Sequence, residues 1–407
     1  MTPWLSVIGI GDDGLAGLSP TARTLVESAE TLVGGARHLA MVPGGGAERL
    51  PWRQPLGDTI AAIAARHGTR VAVLASGDPL WYGVGTVLLR HFHREEMTIV
   101  PQPSAFSLAA ARLGWALAEC MSLSLHGRPL DGLRLYLAPG RRCLLLSEDG
   151  TTPRRVAGLL AASGWGPSRM SVFEHLGGPR EAAHCGTAQD WGERDTADLN
   201  TIALECAIAP GTRALSLLAG LPDDAFEHDG QLTKREIRAV TLARLAPLAG
   251  ETLWDIGAGS GSIAIEWLRA VPDGAAIAVE RNPGRAATIA RNATSLGVPG
   301  LRIIADAAPR ALGKIPPELA PPDAIFVGGG IAETGLLEAL WDALRPGGRL
   351  VANVVSLEGE RAILEWQAHH GGELARAAFT RAEPLGGGHH AWRPLLPVTQ
   401  LVATKPG

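Results

Sequence analysis

The stretch Leu253–Glu280, LWDIGAGSGSIAIEWLRAVPDGAAIAVE, narrows the possible folds of this chain more than any other. Leu253–Ile256 is a short apolar run of the kind that forms a buried strand. Gly257-Ala258-Gly259-Ser260-Gly261 follows, and its three glycines let backbone N–H groups come close to a ligand. Ser262 stands where a helix cap is expected. Ala264, Ile265, Leu268 and Val271 then recur at helical spacing and predict one apolar face. A second apolar run, Ala276–Val279, ends in Glu280, a carboxylate placed to accept hydrogen bonds from ribose hydroxyls. Strand, glycine loop, helix, strand and acid together predict an α/β sheet that binds a nucleoside-like ligand. The spacing is G-x-G-x-G, which departs from the G-x-G-x-x-G of dinucleotide sites. Asp255, just ahead of the glycines, suits a cationic, zwitterionic ligand better than a pyrophosphate.

At 407 residues the chain has room for two or three domains. Hydrophobic residues make up 46% and charged ones 19%, so a large core can be buried. No apolar run reaches the length of a membrane span, and MTPWLSVIGIGDDG lacks a basic leader, so neither a membrane partner nor a signal peptide is expected. The formal charge of -4 argues against a nucleic-acid partner. Cys120, Cys143, Cys185 and Cys206 show no C-x-x-C spacing, which predicts neither zinc nor a disulfide framework and fits a reducing cytoplasm. Only Lys234, Lys314 and Lys405 are lysines. The arginine bias is that of a GC-rich genome, and it also equips the protein to grip carboxylates bidentately.

In the first half, strand Leu5–Ile10 runs into Gly9-Ile10-Gly11-Asp12-Asp13-Gly14, which spells G-x-G-x-x-G. A dinucleotide loop should open a helix at once, yet the next helix start is Ser19-Pro20, and two aspartates would repel a pyrophosphate. Strand Arg70–Leu74 leads into Gly77-Asp78-Pro79-Leu80-Trp81-Tyr82, a stiff loop with exposed backbone groups. Strand Met97–Val100 leads into Pro101-Gln102-Pro103-Ser104-Ala105, with Ser104 as the cap of helix Ala105–Leu113. Met121–Leu125, Cys143–Leu146, Met170–His175 and Leu199–Ala207 are predicted strands of a second layer, with helix Thr151–Ser163 between them. His126 falls in a strand-end loop, where it would make a structural hydrogen bond or touch a substrate.

Ala209–Gly230 opens with Pro-Gly neighbours and closes with LPDDAFEHDG, as a joint between domains does. Thr233 and Glu236 then fit a capping box. Asp306 and Ala307 follow a predicted strand Leu301–Ala305, and an Asp there sits in the ligand crevice of such sheets. After the strand that ends at Val327 come Gly328-Gly329-Gly330, where backbone makes room for a bulky substrate. A base-flipping methylase would carry an aromatic clamp there, and no cysteine nucleophile lies beyond Cys206. Glu266 on the glycine-loop helix is expected to be structural, and His389 and His390 are expected in a flexible loop that could close over substrate.

These motifs carry a resemblance. Residues 253–280 resemble motifs I and II of the Rossmann-like S-adenosylmethionine (SAM) methyltransferases. The three loops of the first half, with Ser124-Leu125-His126-Gly127-Arg128 after them, resemble the class III SAM enzymes, the tetrapyrrole methylases. The fusion, with LVGGARHL and LTKREIRAVTLARL, resembles the decarboxylating precorrin C5,15-methyltransferases of the aerobic cobalamin pathway over essentially the whole chain. The implied fold class is α/β: a two-subdomain αβα methylase fold over 1–210 (1–115 and 116–210), a linker at 211–230, and a Rossmann-like methyltransferase fold over 231–407.

The implied function is methylation of precorrin-6B at C5 by the first domain and at C15 by the second, with loss of carbon dioxide from the ring C acetate to give precorrin-8X. The alternative is an RNA methyltransferase. SAM is implied at two sites, no metal is implied, and the partners are the tetrapyrrole and, in a homo-oligomer, further copies of the chain. By resemblance the SAM contacts are Gly9, Gly11, Asp78, Leu80, Tyr82, Ser104 and Ala105 in the first domain. In the second they are Thr233, Gly257, Ala258, Gly259, Ser260, Gly261, Glu280, Asp306 and Ala307. Thr233, Asn353, His389, His390 and His126 are candidates for contact with the reacting groups, with no proton-transfer role assigned.

Overall fold

The computed structural model describes residues 3–407. By their contacts these fall into two compact units, residues up to 130 with 137–214, and 131–136 with 215–407.

The first unit contains two five-stranded sheets. In one, β1 (Leu5–Ile10), β2 (Thr31–Gly34), β3 (Glu48–Pro51), β4 (Val71–Ser76) and β5 (Met97–Val100) are all parallel, in the order β3-β2-β4-β1-β5. Both β1 and β4 are largely apolar and buried along nearly their whole length, as strands covered on both faces must be. The other sheet contains β6 (Cys120–Ser124), β7 (Arg142–Leu146), β8 (Arg169–Glu174), β9 (Ala182–Thr187) and β10 (Asn200–Glu205), in the order β6-β7-β10-β8-β9. Only β6 and β7 pair in parallel; the rest are antiparallel. Strand β9 has no counterpart in the sequence-based expectations, because AAHCGT is a half-exposed edge segment without an apolar alternation.

The second unit is built on a seven-stranded sheet. Its strands are β11 (Thr252–Ile256), β12 (Ala275–Val279), β13 (Arg302–Ile304), β14 (Ala324–Val327), β15 (Arg349–Val354), β16 (Glu373–Ala377) and β19 (Val398–Thr404). They are ordered β13-β12-β11-β14-β15-β19-β16, parallel except for β19, which is antiparallel to both its neighbours. Strands β17 (Thr380–Gly386) and β18 (His389–Pro394) form a separate exposed hairpin. His389 and His390 therefore stand on a strand and not in a free loop.

Two expectations about helix ends fail. Helix Ser262–Ala270 is capped by Gly261, at φ 79°, and Ser262 is already its first residue. The orphan N–H of Ala264 is satisfied from below, by Asp255 Oδ2 at 3.0 Å. The same helix is buried from Ser262 to Arg269, on every side rather than on one face. Helix Arg235–Leu245 has no capping box. The Thr233 carbonyl accepts from Arg238 Nη1 at 2.5 Å, and Arg381 draws the Glu236 carboxylate away.

Glu266 behaves as a structural residue. It is buried, and its carboxylate accepts from Arg238 Nε at 2.6 Å and from the N–H groups of Gly220 and Leu221 at 2.6 and 2.9 Å. Leu221 and Phe226 are buried in the same core as Trp267. The Gly-Leu-Pro stretch before the first helix of the unit is thus clamped to it by a charge pair taken wholly out of water.

Candidate active site

In the second unit the strand order reverses between β11 and β14, and the crevice outside their carboxyl ends is where open α/β sheets bind ligands. A cavity of about 970 Å³ opens there. The loop after β11 and the loop after β14 close its floor. A Cβ on Gly257 would lie 2.7 Å from both N and Cα of Gly329, so glycine is required where the two loops cross. Gly257, Ala258, Gly259 and Ser260 all line the cavity, and the hydroxyl of Ser260 is buried without a partner. Gly261 does not line it; a Cβ there would strike Ile289 at 2.7 Å, so this glycine serves helix packing.

Glu280 is buried at the cavity wall. Its Oε2 accepts from Gly259 N–H and its Oε1 from Asn282 N–H, both at 2.9 Å. Each oxygen keeps a lone pair for a ligand hydroxyl. Asp306 and Ala307, after the neighbouring strand β13, also line the cavity. The Asp306 carboxylate is held far below its usual range by hydrogen bonds from Lys314, then Arg310, then the Ala307 N–H, so it is a fixed negative charge. Asp255 does not reach the ligand space. It is fully buried beneath the loop, its Oδ1 has no partner, and burial pushes its pKa up to about 7, with the Ala264 N–H opposing and the Glu280 charge adding. It holds the loop up; it is not the counter-charge to a cation.

Thr233 and Asn353 also line the cavity. The Asn353 amide is committed to Thr241 Oγ1 and Gln400 Nε2, both at 2.8 Å, which fixes it as part of the wall. Lys234 lines the same cavity. His389 and His390 are not in its lining, and both are exposed.

In the first unit the loops after β1, β4 and β5 converge in the same way. A Cβ on Gly9 would sit 1.8 Å from the Gly77 carbonyl oxygen, and one on Gly77 would sit 2.9 Å from Ser104 Cα. Gln102 N–H donates to the Gly77 carbonyl at 3.1 Å and locks the crossing. Gly11 follows directly, with Asp13 Oδ1 folded back 2.5 Å from where its Cβ would be. Asp78 Oδ1 accepts from Leu80 N–H at 2.8 Å, which shapes the turn. Leu80, Trp81 and Tyr82 are exposed. Tyr82, at φ 56°, donates its hydroxyl to the Ser122 carbonyl at 3.1 Å and so ties this loop to β6. Ser104 caps the helix that begins at Ala105, accepting from Ser107 N–H at 3.2 Å. The structure thus brings Gly9, Gly11, Asp78, Leu80, Tyr82, Ser104 and Ala105 to one end of one sheet. His126 is exposed and makes no hydrogen bond, contrary to the structural role expected of it.

Sequence reasoning missed a polar cluster at the same sheet end. Asp12 Oδ1 accepts from Arg37 Nη1 at 2.9 Å, and Asp12 Oδ2 lies 3.1 Å from His175 Nδ1. Arg37 Nη2 stands 2.9 Å from His38 Nε2 and donates to Ser76 Oγ at 3.1 Å. Burial, and then the Arg37 charge, lower the His38 pKa to about 4, so its ring is neutral; Asp12 opposes weakly. The one signal was the pair of acids in a glycine loop, where an anion-binding loop would have none.

Residues 5–191 match the family "Tetrapyrrole (Corrin/Porphyrin) Methylases", and residues 224–405 match "Precorrin methyltransferase domain". A curated relative from Sinorhizobium sp, "Precorrin-6Y C(5,15)-methyltransferase [decarboxylating]", is 49% identical over 409 residues, spanning 100% of this chain and 97% of that protein. Its namesake from Mycobacterium tuberculosis is 42% identical over 404 residues, 98% and 99% of the two chains. Among solved structures, the C-terminal domain of precorrin-6Y C5,15-methyltransferase from Rhodobacter capsulatus is 43% identical, with TM-score 0.43, over 47% of this chain and 100% of that one. These relatives give no support to an RNA methyltransferase. The chain belongs to the decarboxylating precorrin-6Y C(5,15)-methyltransferase family.

Proposed function

We propose that the chain methylates a reduced tetrapyrrole of the precorrin-6 stage twice, at C5 in the first unit and at C15 in the second, and removes carbon dioxide from the ring C acetate during the second unit's reaction. The observation that carries this is the recurrence of one device in two unlike folds. In each unit two strand-end loops cross so closely that a Cβ is excluded, at Gly9 against Gly77 and at Gly257 against Gly329. Each unit then has its own SAM site, two per chain. SAM, when bound, supplies an activated methyl group, so the protein has to supply alignment, exclusion of water and disposal of protons.

The residues of the second unit support that division of labour. Glu280 is positioned for the ribose, the Gly257–Ser260 backbone for the amino-acid end, and Asp306 for the adenine amino group. Gly328–Gly330 leave the wall beside them without side chains, which suits a flat macrocycle. Lys234 offers a cation to its peripheral carboxylates. We further propose the domain joint at 211–230, a cytoplasmic setting and a homo-oligomeric assembly, which sedimentation of the purified protein would measure.

The deciding experiment incubates the protein with precorrin-6B and SAM and follows product mass. Gain of two methyl groups with loss of carbon dioxide is the expected result. A titration calorimeter should show two SAM bound per chain; one site would remove half of the proposal.

A further inference from the structure

We propose that His175 accepts the proton released when the first unit methylates the macrocycle, and that Asp12 holds it in place for that task. The inference rests on the reading that this unit is the C5 methyltransferase.

Asp12 follows Gly11 at the end of β1, and its side chain is only 7% exposed. Its partners are Arg37 and His175, and Arg37 in turn donates to Ser76, so three other strand ends meet here. Arg37 comes from beyond β2, Ser76 is the last residue of β4, and His175 is the residue after β8 of the other sheet. The cluster therefore stands beside the loop crossing of Gly9 and Gly77, where the methyl donor is proposed to bind. Ser76 is directly joined to Gly77.

Among the described residues His175 is one of three non-glycine residues with a left-handed backbone, at φ 49°; Tyr82, in the loop after β4, is another. Such positions cost energy and gather at functional sites. A histidine whose Nδ1–H donates to a buried carboxylate keeps its lone pair on Nε2, the arrangement of an oriented general base. His175 Nε2 makes no hydrogen bond to the described residues, and the side chain is mostly buried but still 12% exposed. The charged and titratable groups facing the ring are Asp12 and Arg180, whose Nη2 is 3.4 Å from Nδ1, and, behind Asp12, Arg37 and His38.

The step balances without a further reactant. The π pair of the meso carbon forms the new bond to the methyl carbon as the methyl–sulfur bond breaks, and sulfur keeps that bond's electrons. The positive charge passes from the donor to the macrocycle. A ring N–H proton then moves to His175 Nε2, the macrocycle returns to neutrality, and the imidazolium formed is stabilised by the Asp12 carboxylate.

The test uses the full-length enzyme, because carbon dioxide release and the C15 methyl report on the second unit in the same tube. The informative variant is His175→Asn. Asparagine tolerates the left-handed backbone, and its amide can donate to Asp12 in place of Nδ1, but it has nothing in place of Nε2. We expect the C5 methyl transfer to fall about 100-fold, the low end of what general bases contribute. The C15 methyl, carbon dioxide release and the calorimetric affinity for two SAM should stay unchanged, so that a singly methylated, decarboxylated product accumulates. Asp12→Asn should lose less, about tenfold, because it removes the charge that steadies the imidazolium. The acid limb of the wild-type C5 pH–rate profile should vanish in His175→Asn. C5 transfer within twofold of wild type in His175→Asn would overturn the proposal. So would a loss of SAM affinity in step with the rate, which marks a merely structural histidine. A wild-type enzyme that never adds a second methyl would instead remove the reading of the first unit.

Discussion

The two units solve one steric problem with different topologies. In both, parallel strands end side by side and their loops must cross without side chains between them. In the second unit the crossing pairs glycine with glycine, and a helix starts immediately behind it at Ser262. In the first, glycine meets a carbonyl oxygen, and the chain makes a short turn over Gly14–Gly17 before its helix begins at Pro20. The difference decides where charge can be placed. With the helix packed directly on the loop, the acid near the end of the strand before it, Asp255, lies underneath, dry and with one oxygen unpartnered. The delayed helix leaves Asp12 at the sheet end, where arginine and histidine side chains reach it. The second unit therefore fixes its loop with a buried acid, and the first displays an acid that organises a reactive cluster.

Variants that act on one unit only put this comparison at risk. The largest effect is expected from Glu266→Ala, which leaves Arg238 Nε and the N–H groups of Gly220 and Leu221 without their acceptor in the core. Breaking a buried pair from one side costs about 3–5 kcal/mol. Chemical denaturation should show the second unit's transition moved by that amount and the first unit's unmoved. Gly257→Ala comes next. Its Cβ meets Gly329, and calorimetry should find SAM stoichiometry reduced from two per chain to one, with carbon dioxide release lost. Glu280→Gln should weaken the second site about tenfold, the size of one charged hydrogen bond, without touching the first. Equal weakening at both would show that the two pockets are not separate.

The last prediction concerns Asp255 and pH. Burial raises its folded pKa to about 7, while in the unfolded chain it titrates near about 4. Between those values the folded unit holds a proton that the unfolded chain has released. The second unit should therefore lose stability as pH rises through that window. Asp255→Asn should flatten this slope, measured as the melting temperature of the second transition across the range.

Much of this was legible beforehand, and the failures have a common cause. The strands β1, β4, β11 and β12, the caps at Ser19 and Ser104, and the glycine loops depend on neighbours a few residues away. Such local rules read well from a single chain. The cap assigned to Ser262 failed because Asp255, on the previous strand, reached over to bond Ala264. The box at Thr233 failed because Arg381, 145 residues downstream of Glu236, competes for its carboxylate. The Asp12–His175 contact joins residues 163 apart, and no spacing pattern spans such a gap. Strands β16, β17 and β18 were missed for a different reason. They are exposed on both faces, so they lack the alternation by which a strand announces itself.

The crossing of Gly257 over Gly329 has a consequence for how the second pocket tolerates change. The obstacle there is backbone, which cannot rotate away as a side chain can, and the first carbon of any substituent already collides with it. Enlarging the substituent adds little to a collision that is complete. A series from alanine through serine to valine at this position should trace a step and not a ramp: one abrupt drop at the smallest addition, then a plateau.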